Sequence, residues 1–350
     1  MKKYILTIAA AAAVALVPVA PAVSASSKKA AKQLIVSTWG LSEDSLWSEV
    51  YEPFEKQNNA KVVLDTGNAQ ERYTKMKADP NSKVDIIELA QKNVADGVAD
   101  SAFAKVSPSD IKEFSKLIPA AQAVIKSGSG VPYTINSIGI IYDEKAAGMK
   151  ITEWKDLWNP ALKGKIAIPD ITTTFGPAFI CMAGDYKGTA VTKDKGEAAF
   201  QALAELKPNV MRTYAKASDV ANLMKNGEIA VAVVGDFGVP VISKAAPDAV
   251  YLVPASGTYA NFNVMNINKN TKNRELAIAY LNYRLAADTE IRTAKAVNDT
   301  PVNTATKIPA DVSKYMTVGD VAARAKMVDF TYIRPLLTSW IDRYNKLMNQ

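Results

Sequence analysis

Short apolar runs alternate along this chain with stretches whose hydrophobic residues recur every three or four positions. The runs at 34–37, 61–65, 85–89, 165–169, 229–234 and 250–253 read as strands. Those without polar interruption suit a parallel sheet buried on both faces. Leu46, Val50 and Phe54 repeat at helical spacing and mark a core-facing stripe. Ser42 is placed to cap that helix, Glu43 and Asp44 suit its positive end, and Pro53 predicts a kink or an early stop. Further helices are expected over 70–77, from Ser107-Pro108-Ser109-Asp110 onward, around Phe200, Leu203 and Leu206, and over 274–286. A short one should run from a Ser218-Asp219 cap to a stop at Asn226-Gly227. The segment 333–348 is amphipathic, with Leu337, Trp340, Ile341, Tyr344 and Leu347 on one side. Alternation of this kind predicts α/β architecture.

One segment departs from the plain alternation. VPYTINSIGIIYDEKAAGMKITEWKDLW, residues 131–158, runs from a polar-aromatic cluster (Tyr133, Thr134, Asn136) directly into an apolar strand at 138–142. A helix signal follows at Thr152 and 153–158, where Trp154, Leu157 and Trp158 read as packing residues. This layout suits a strand that leaves one lobe beside a cleft and enters a second. Residues 257–264 would cross back, and the SGSG stretch at 127–130 could supply hinge freedom. No internal repeat or low-complexity tail interrupts the pattern.

Composition narrows the possibilities. Residues 1–25 have the form of a secretory leader: Lys2 and Lys3, an Ala/Leu/Val core over 5–17, and Val23-Ser24-Ala25 before a cut after Ala25. That apolar run is shorter than the ~20 residues needed to span a bilayer, and Pro18 and Pro21 interrupt it. With no cysteine near the cut, no lipid anchor is expected, so the mature chain should be soluble and periplasmic. Its length allows two ordinary domains. The net charge of +7, smaller by two once Lys2 and Lys3 leave, is spread along the chain and fits solubility rather than nucleic-acid binding. Cys181 is the sole cysteine, between Ile180 and Met182, and reads as a buried inert thiol. The sequence has no histidine, which removes the commonest general base and the usual zinc ligand. No cofactor or metal is expected, and an enzyme would have to rely on carboxylates, tyrosine or lysine.

In open α/β sheets ligands sit beyond the carboxyl ends of the strands. Those ends carry Trp39, Gln91, Tyr133, the run Thr172, Thr173 and Thr174, and Asp236. Each has a plainer reading as well. Trp39 fits the core about as well as the cleft, Tyr133 after Pro132 could brace the hinge, one of the threonines could cap a helix, and Asp236 could be an ordinary turn residue.

TWG with its following helix ending YEPFEKQ, GNAQERYTKMKAD, VDIIELAQ, VPYTINSIGIIYD, EWKDLWNPALKGKIAIPD, LMKNGEIAVAVVG and the ELAIAYLNYRLA…TPVN tail occur in that order. Together they resemble the extracytoplasmic solute-binding proteins of ABC importers, close to the spermidine/putrescine-binding type, over nearly the whole mature chain. The resemblance implies a two-lobed periplasmic-binding-protein fold of type II with two crossing strands as hinge. Lobe 1 would comprise 26–135 and 257–302, and lobe 2 136–256 and 303–350. It also implies a monomer that captures a small solute in the cleft and docks transiently on a membrane permease.

The resemblance further places Thr134 to Ser137 on a ligand-facing segment, Asp170 in what is an acidic cluster in the polyamine binders, and Asn261 and Asn263 where those binders carry Trp and Asp. A buried ammonium needs a paired charge, so threonine and asparagine at such places fit a diamine poorly. Hydroxyls and amides at a helix N-terminus suit carboxylate, phosphonate or neutral polar groups. The reading preferred is therefore a small polar metabolite, an amino acid-like zwitterion or organic anion, with a monoamine at Asp236 or Asp170 also open. The alternatives are a polyamine binder proper, a ferric-ion carrier, for which Tyr259 stands alone, and an exported enzyme using Asp170 and Asp236.

Overall fold

The computed structural model describes residues 31–40 and 43–348. The leader expected at 1–25 and the Ser42 cap lie outside the described residues. Among the described residues eleven strands form: β1 (Lys32–Thr38), β2 (Ala60–Thr66), β3 (Ile86–Ala90), β4 (Val131–Tyr142), β5 (Ile166–Pro169), β6 (Val210–Tyr214), β7 (Val231–Gly235), β8 (Val250–Leu252), β9 (Thr258–Ile267), β10 (Thr300–Pro301) and β11 (Ala325–Met327). Their spatial order is β2-β1-β3-β9-β4-β7-β5-β6, with β8 and β10 on β4 and β11 on β9. Parallel pairs β1–β2, β1–β3, β5–β6 and β5–β7 are the strands with helical crossovers between them.

Two long strands join the halves. β4 is buried over its whole length, so both of its faces need partners. Up to Ser137 it pairs with β9, and from Ile138 it pairs with β7 and β8. β9 runs the other way, from β11 beside Thr258 to β3 beside Ile267. One core gathers Leu34, Val36, Phe54, Ile87, Phe262 and Tyr280 on the β1–β3 side. A second gathers Ile140, Phe179, Leu203, Val233 and Trp340, and a third lies on the other face of the β5–β7 sheet around Ile141, Val234 and Ile242. The Gln91–Ala99 helix, rooted in the first half, lays Ala95 on the second core. Its Asp96 accepts from Arg334 Nε at 2.9 Å.

Several local expectations are corrected. The first helix forms in three pieces, Glu43–Leu46, a π turn Trp47–Tyr51, and Glu52–Asn58, and it runs through Pro53. A proline has no N–H for the carbonyl four residues back, and its ring crowds that carbonyl. The wider turn just upstream, where Glu52 N–H donates to Trp47 O, relieves the crowding. Ser107 starts only a single turn, Pro108–Asp110, closed by its N–H on the Asp110 carboxylate at 2.8 Å; the true helix follows at Pro119–Lys126. Ser127 to Gly130 lies between that helix and β4. It closes that helix through Ser127 N–H to Ala123 O and feeds β4 at its far end, where Val131 faces Met265. The short helix spans Ala217–Lys225, capped by Asp219 accepting from Lys216 N–H at 3.1 Å, so Ser218 sits inside its first turn.

Candidate functional site

The carboxyl ends of β1, β2 and β3 are drawn together by one side chain. Arg72, buried on the Ala69–Ala78 helix, donates to Ser37 Oγ (3.2 Å), Gly67 O (2.9 Å) and Glu88 O (2.9 Å). Trp39 lies half-buried over this guanidinium, its ring centre 5.2 Å from the Arg72 carbon, within the range of cation–π attraction. Trp39 therefore meets both sequence readings: it packs on the first core and stands at a strand end.

Glu88 on β3 is the next tie. Its carboxylate accepts from Thr38 Oγ1 (2.6 Å), Tyr133 OH (3.1 Å), Tyr280 OH (3.4 Å) and Arg284 (3.1 Å), and the Arg284 guanidinium sits 4.4 Å from the Tyr133 ring centre. Tyr133 is thus buried, and burial raises its hydroxyl pKa well above the usual range. It braces the floor from beneath.

The register of the two long strands sets that floor. Thr134 is opposite Asn263 and Asn136 opposite Asn261. Facing residues in an antiparallel pair share a side, so these four polar groups line one face. Asn261 is already engaged by the neighbouring helix: Gln91 N–H donates to Asn261 Oδ1 (3.2 Å), while Phe262 N–H donates to Gln91 Oε1 (2.9 Å). Gln91 and Asn261 thereby lock the start of the Gln91–Ala99 helix onto β9. Thr134 Oγ1 lies 3.4 Å from Asn136 Oδ1.

Asn136 reaches across the floor to Asp236, donating to its Oδ1 at 2.9 Å. Asp236, fully buried at the end of β7, also accepts from Phe237 N–H (2.8 Å), Ser137 N–H (3.3 Å) and Thr317 Oγ1 (2.5 Å). Burial pushes its pKa up to about 7 against the pull of those bonds. Burial raises a second carboxyl, Asp299, to about 7 as well, against the pull of the Arg284 charge and with the Asp236 charge adding to the rise. Asp299 keeps part of its surface open to solvent. It lies just before β10, which pairs with β4 at Thr134 and Ile135.

The remaining candidates lie on the turn after β5. Asp170 accepts from Thr172 N–H (2.8 Å) and Thr172 Oγ1 (2.5 Å), and Thr173 Oγ1 donates to Asp170 O (2.7 Å) while accepting from Gly176 N–H (3.2 Å). Thr173 therefore caps the Gly176–Tyr186 helix, and Thr172 and half-buried Thr174 stand beside it. Lys92, half-buried in the first turn of the Gln91–Ala99 helix, lies within electrostatic reach of Asp96 and of Asp170. Burial lowers its pKa, and the charges of Asp96 and Asp170 resist that fall. Phe237, 39% exposed, stacks with Phe175 at 6.0 Å, an approach that Gly235 permits because a β-carbon there would lie 2.5 Å from the Phe175 ring.

The structure thus brings Trp39, Gln91, Tyr133, Thr134, Asn136, Asp236, Asn261 and Asn263 onto or beneath one floor, and Asp170 with Thr172, Thr173 and Thr174 onto the turn after β5. Sequence reasoning missed Asp299, Lys92, Phe237 and Arg72. Lys92 follows Gln91 and Phe237 follows Asp236, so each stands one residue past a strand end already singled out. Tyr259 does not join the site; it is buried beside Asp185 and Cys181.

Residues 49–319 match the family of bacterial extracellular solute-binding proteins. The chain belongs to that family. Among curated relatives, the spermidine/putrescine-binding periplasmic protein of Escherichia coli K12 is 24% identical over 261 residues, 72% of this chain and 74% of that protein. Among solved structures, an ABC transporter from Clostridium perfringens ATCC 13124 is 47% identical, with a TM-score of 0.83 over 90% of this chain and 99% of that one. The Atu4243-GABA receptor, at 16% identity, has a TM-score of 0.78 over 91% and 98%. This solute-binding protein is therefore a component of an ABC transporter, with the two-lobed periplasmic-binding fold that its sequence resembles. Among the described residues, no helix is long and apolar enough to cross a membrane.

Proposed function

We propose that the solute is a small amino acid-like zwitterion, held in the cleft between lobe 1 (26–135 and 257–302) and lobe 2 (136–256 and 303–350). The separate cores on either side of the β4–β9 crossing support these limits. The ammonium end is received by Asp299 with Asp236 behind it. The anionic end lies toward Lys92 and the amino-terminal turn of the Gln91–Ala99 helix, whose dipole favours negative charge. Trp39 and Phe237 flank the carbon chain. The protein acts as a periplasmic monomer without catalysis. Solute touching both lobes favours the closed form, which docks on the permease.

The observation that carries this reading is half-buried Lys92 in the first turn of the Gln91–Ala99 helix, within electrostatic reach of Asp96 and Asp170. A diamine needs an acid at each end. Here a lysine already lies within electrostatic reach of Asp170, and a second ammonium arriving there would meet a like charge. Asp299 and Asp236, by contrast, favour one cation. The polyamine reading, which the curated relatives suggest, keeps that first half and loses the second.

A thermal-shift panel of 4-aminobutyrate, other amino acids, phosphonates, putrescine and spermidine tests it. Zwitterions should raise the melting temperature, in proportion to about 2.7 kcal/mol at one hundred times Kd. Lys92→Met should weaken zwitterions at least tenfold while improving putrescine. Stabilisation of the unaltered protein by micromolar putrescine, with none by zwitterions, refutes the assignment.

A further inference from the structure

The buried Arg72 guanidinium gives its hydrogen bonds to neutral oxygens: Ser37 Oγ, Gly67 O and Glu88 O. Ser37 Oγ in turn donates to Asp65 Oδ2 at 2.9 Å, so toward Arg72 it is an acceptor. Two acids, Glu88 and Asp65, act on Arg72 from farther off. Each is already in an ion pair with another cation: Arg284 lies 3.1 Å from the Glu88 carboxylate, and Lys75 lies 2.9 Å from that of Asp65. The other partner that the Arg72 charge meets at close range is the Trp39 ring, whose centre is 5.2 Å away. That ring is only half-buried, so solvent and solute still reach part of it.

A cation on one face of an indole takes up attraction that the electron-rich ring offers, and its charge repels a second cation brought to the other face. A cation held by that other face sits within about 6 Å of the ring centre, hence about 10 Å from Arg72. At an effective dielectric of about 20, like charges at that separation disfavour the placement roughly tenfold. An alkyl chain meets no such repulsion, and an anion is drawn in. We propose that Arg72 is a specificity-determining residue: from behind Trp39 it bars an ammonium from the ring and leaves the indole to the uncharged part of the solute. The selection among solutes rests on Trp39 flanking the solute, as proposed above; the positive field at the ring does not. The hydrogen bonds of Arg72 to three strand ends are a separate, structural role, so the test must read charge rather than stability.

The field is tested without any solute. The Trp39 emission is isolated by difference between the unaltered protein and Trp39→Phe, and quenched with iodide, caesium and neutral acrylamide. Normalised to acrylamide, iodide should quench Trp39 better than caesium does, and better than it quenches the tryptophans left in Trp39→Phe. In Arg72→Met the iodide-to-caesium ratio should fall roughly twofold or more, and Arg72→Lys, which keeps the charge, should retain it. A ratio unchanged in Arg72→Met overturns the proposal. Should that variant fail to fold, a Trp39 component in the unaltered protein that caesium quenches as well as iodide overturns it equally. The selection is read by calorimetry: Arg72→Met should shift the ratio of putrescine to 4-aminobutyrate affinity about tenfold toward putrescine, with Arg72→Lys near the parent. An unmoved ratio overturns the role in specificity. Failure of both solutes to bind the unaltered protein overturns the solute assignment and that role together, and the quenching result still decides the field at Trp39.

Discussion

Arg284→Met should be the most damaging single change in the first half, for a reason that can be worked through. The guanidinium gives Glu88 a charged bond at 3.1 Å, touches Tyr280 OH at 3.0 Å and lies on the Tyr133 ring. Methionine fills much of the volume, so the loss is electrostatic rather than a cavity. Breaking a buried ion pair by removing one partner typically costs about 3–5 kcal/mol, because the other charge is stranded. Protonation limits that cost. Neutralising a glutamate of ordinary acidity at pH 7 takes about 3.7 kcal/mol, at 1.36 kcal/mol per pH unit.

The same reasoning predicts a pH signature. A carboxyl that is protonated in the folded variant and ionised when unfolded binds more protons in the native state. Stability of the variant relative to the parent therefore rises as pH falls. The penalty should shrink by about 2.7 kcal/mol between pH 7 and pH 5. Urea denaturation followed by tryptophan fluorescence and by circular dichroism at both pH values measures it. The double variant Arg284→Met/Glu88→Gln should recover much of the loss at pH 7, since no charge is left unpaired. A penalty below about 1.5 kcal/mol at pH 7, or one that does not change with pH, refutes the account of a stranded carboxylate.

Other outcomes follow from local geometry. Cys181 is buried and burial pushes its thiol up to about 12, so it should resist thiol reagents in the native protein and label only on unfolding. Gly235→Ala places a β-carbon 2.5 Å from Phe175 and 2.6 Å from Phe237. It should cost roughly 1–3 kcal/mol of stability and weaken binding of any solute that packs on Phe237, read by denaturation and calorimetry. Unchanged affinity would remove Phe237 from the cleft wall.

The sequence by itself determined the α/β class, the places of most strands, the crossing at 131–142 and the family. These follow from periodicity and ordered motifs, which are local properties of the chain. It also located Trp39, Gln91, Asp170 and Asp236 at strand ends, because the end of an apolar run is visible without a fold. What each polar group does there was decided only by tertiary structure. Asn261 accepts from the backbone N–H of Gln91, far away in the chain, while the Gln91 side chain accepts from Phe262 N–H. Asp236 is enclosed by Asn136, one hundred residues away, and by Thr317. Lys92 and Asp299 carried no motif at all. Their roles arise from charges they meet in space, and charge compensation depends on distance and burial, which spacing along the chain does not encode.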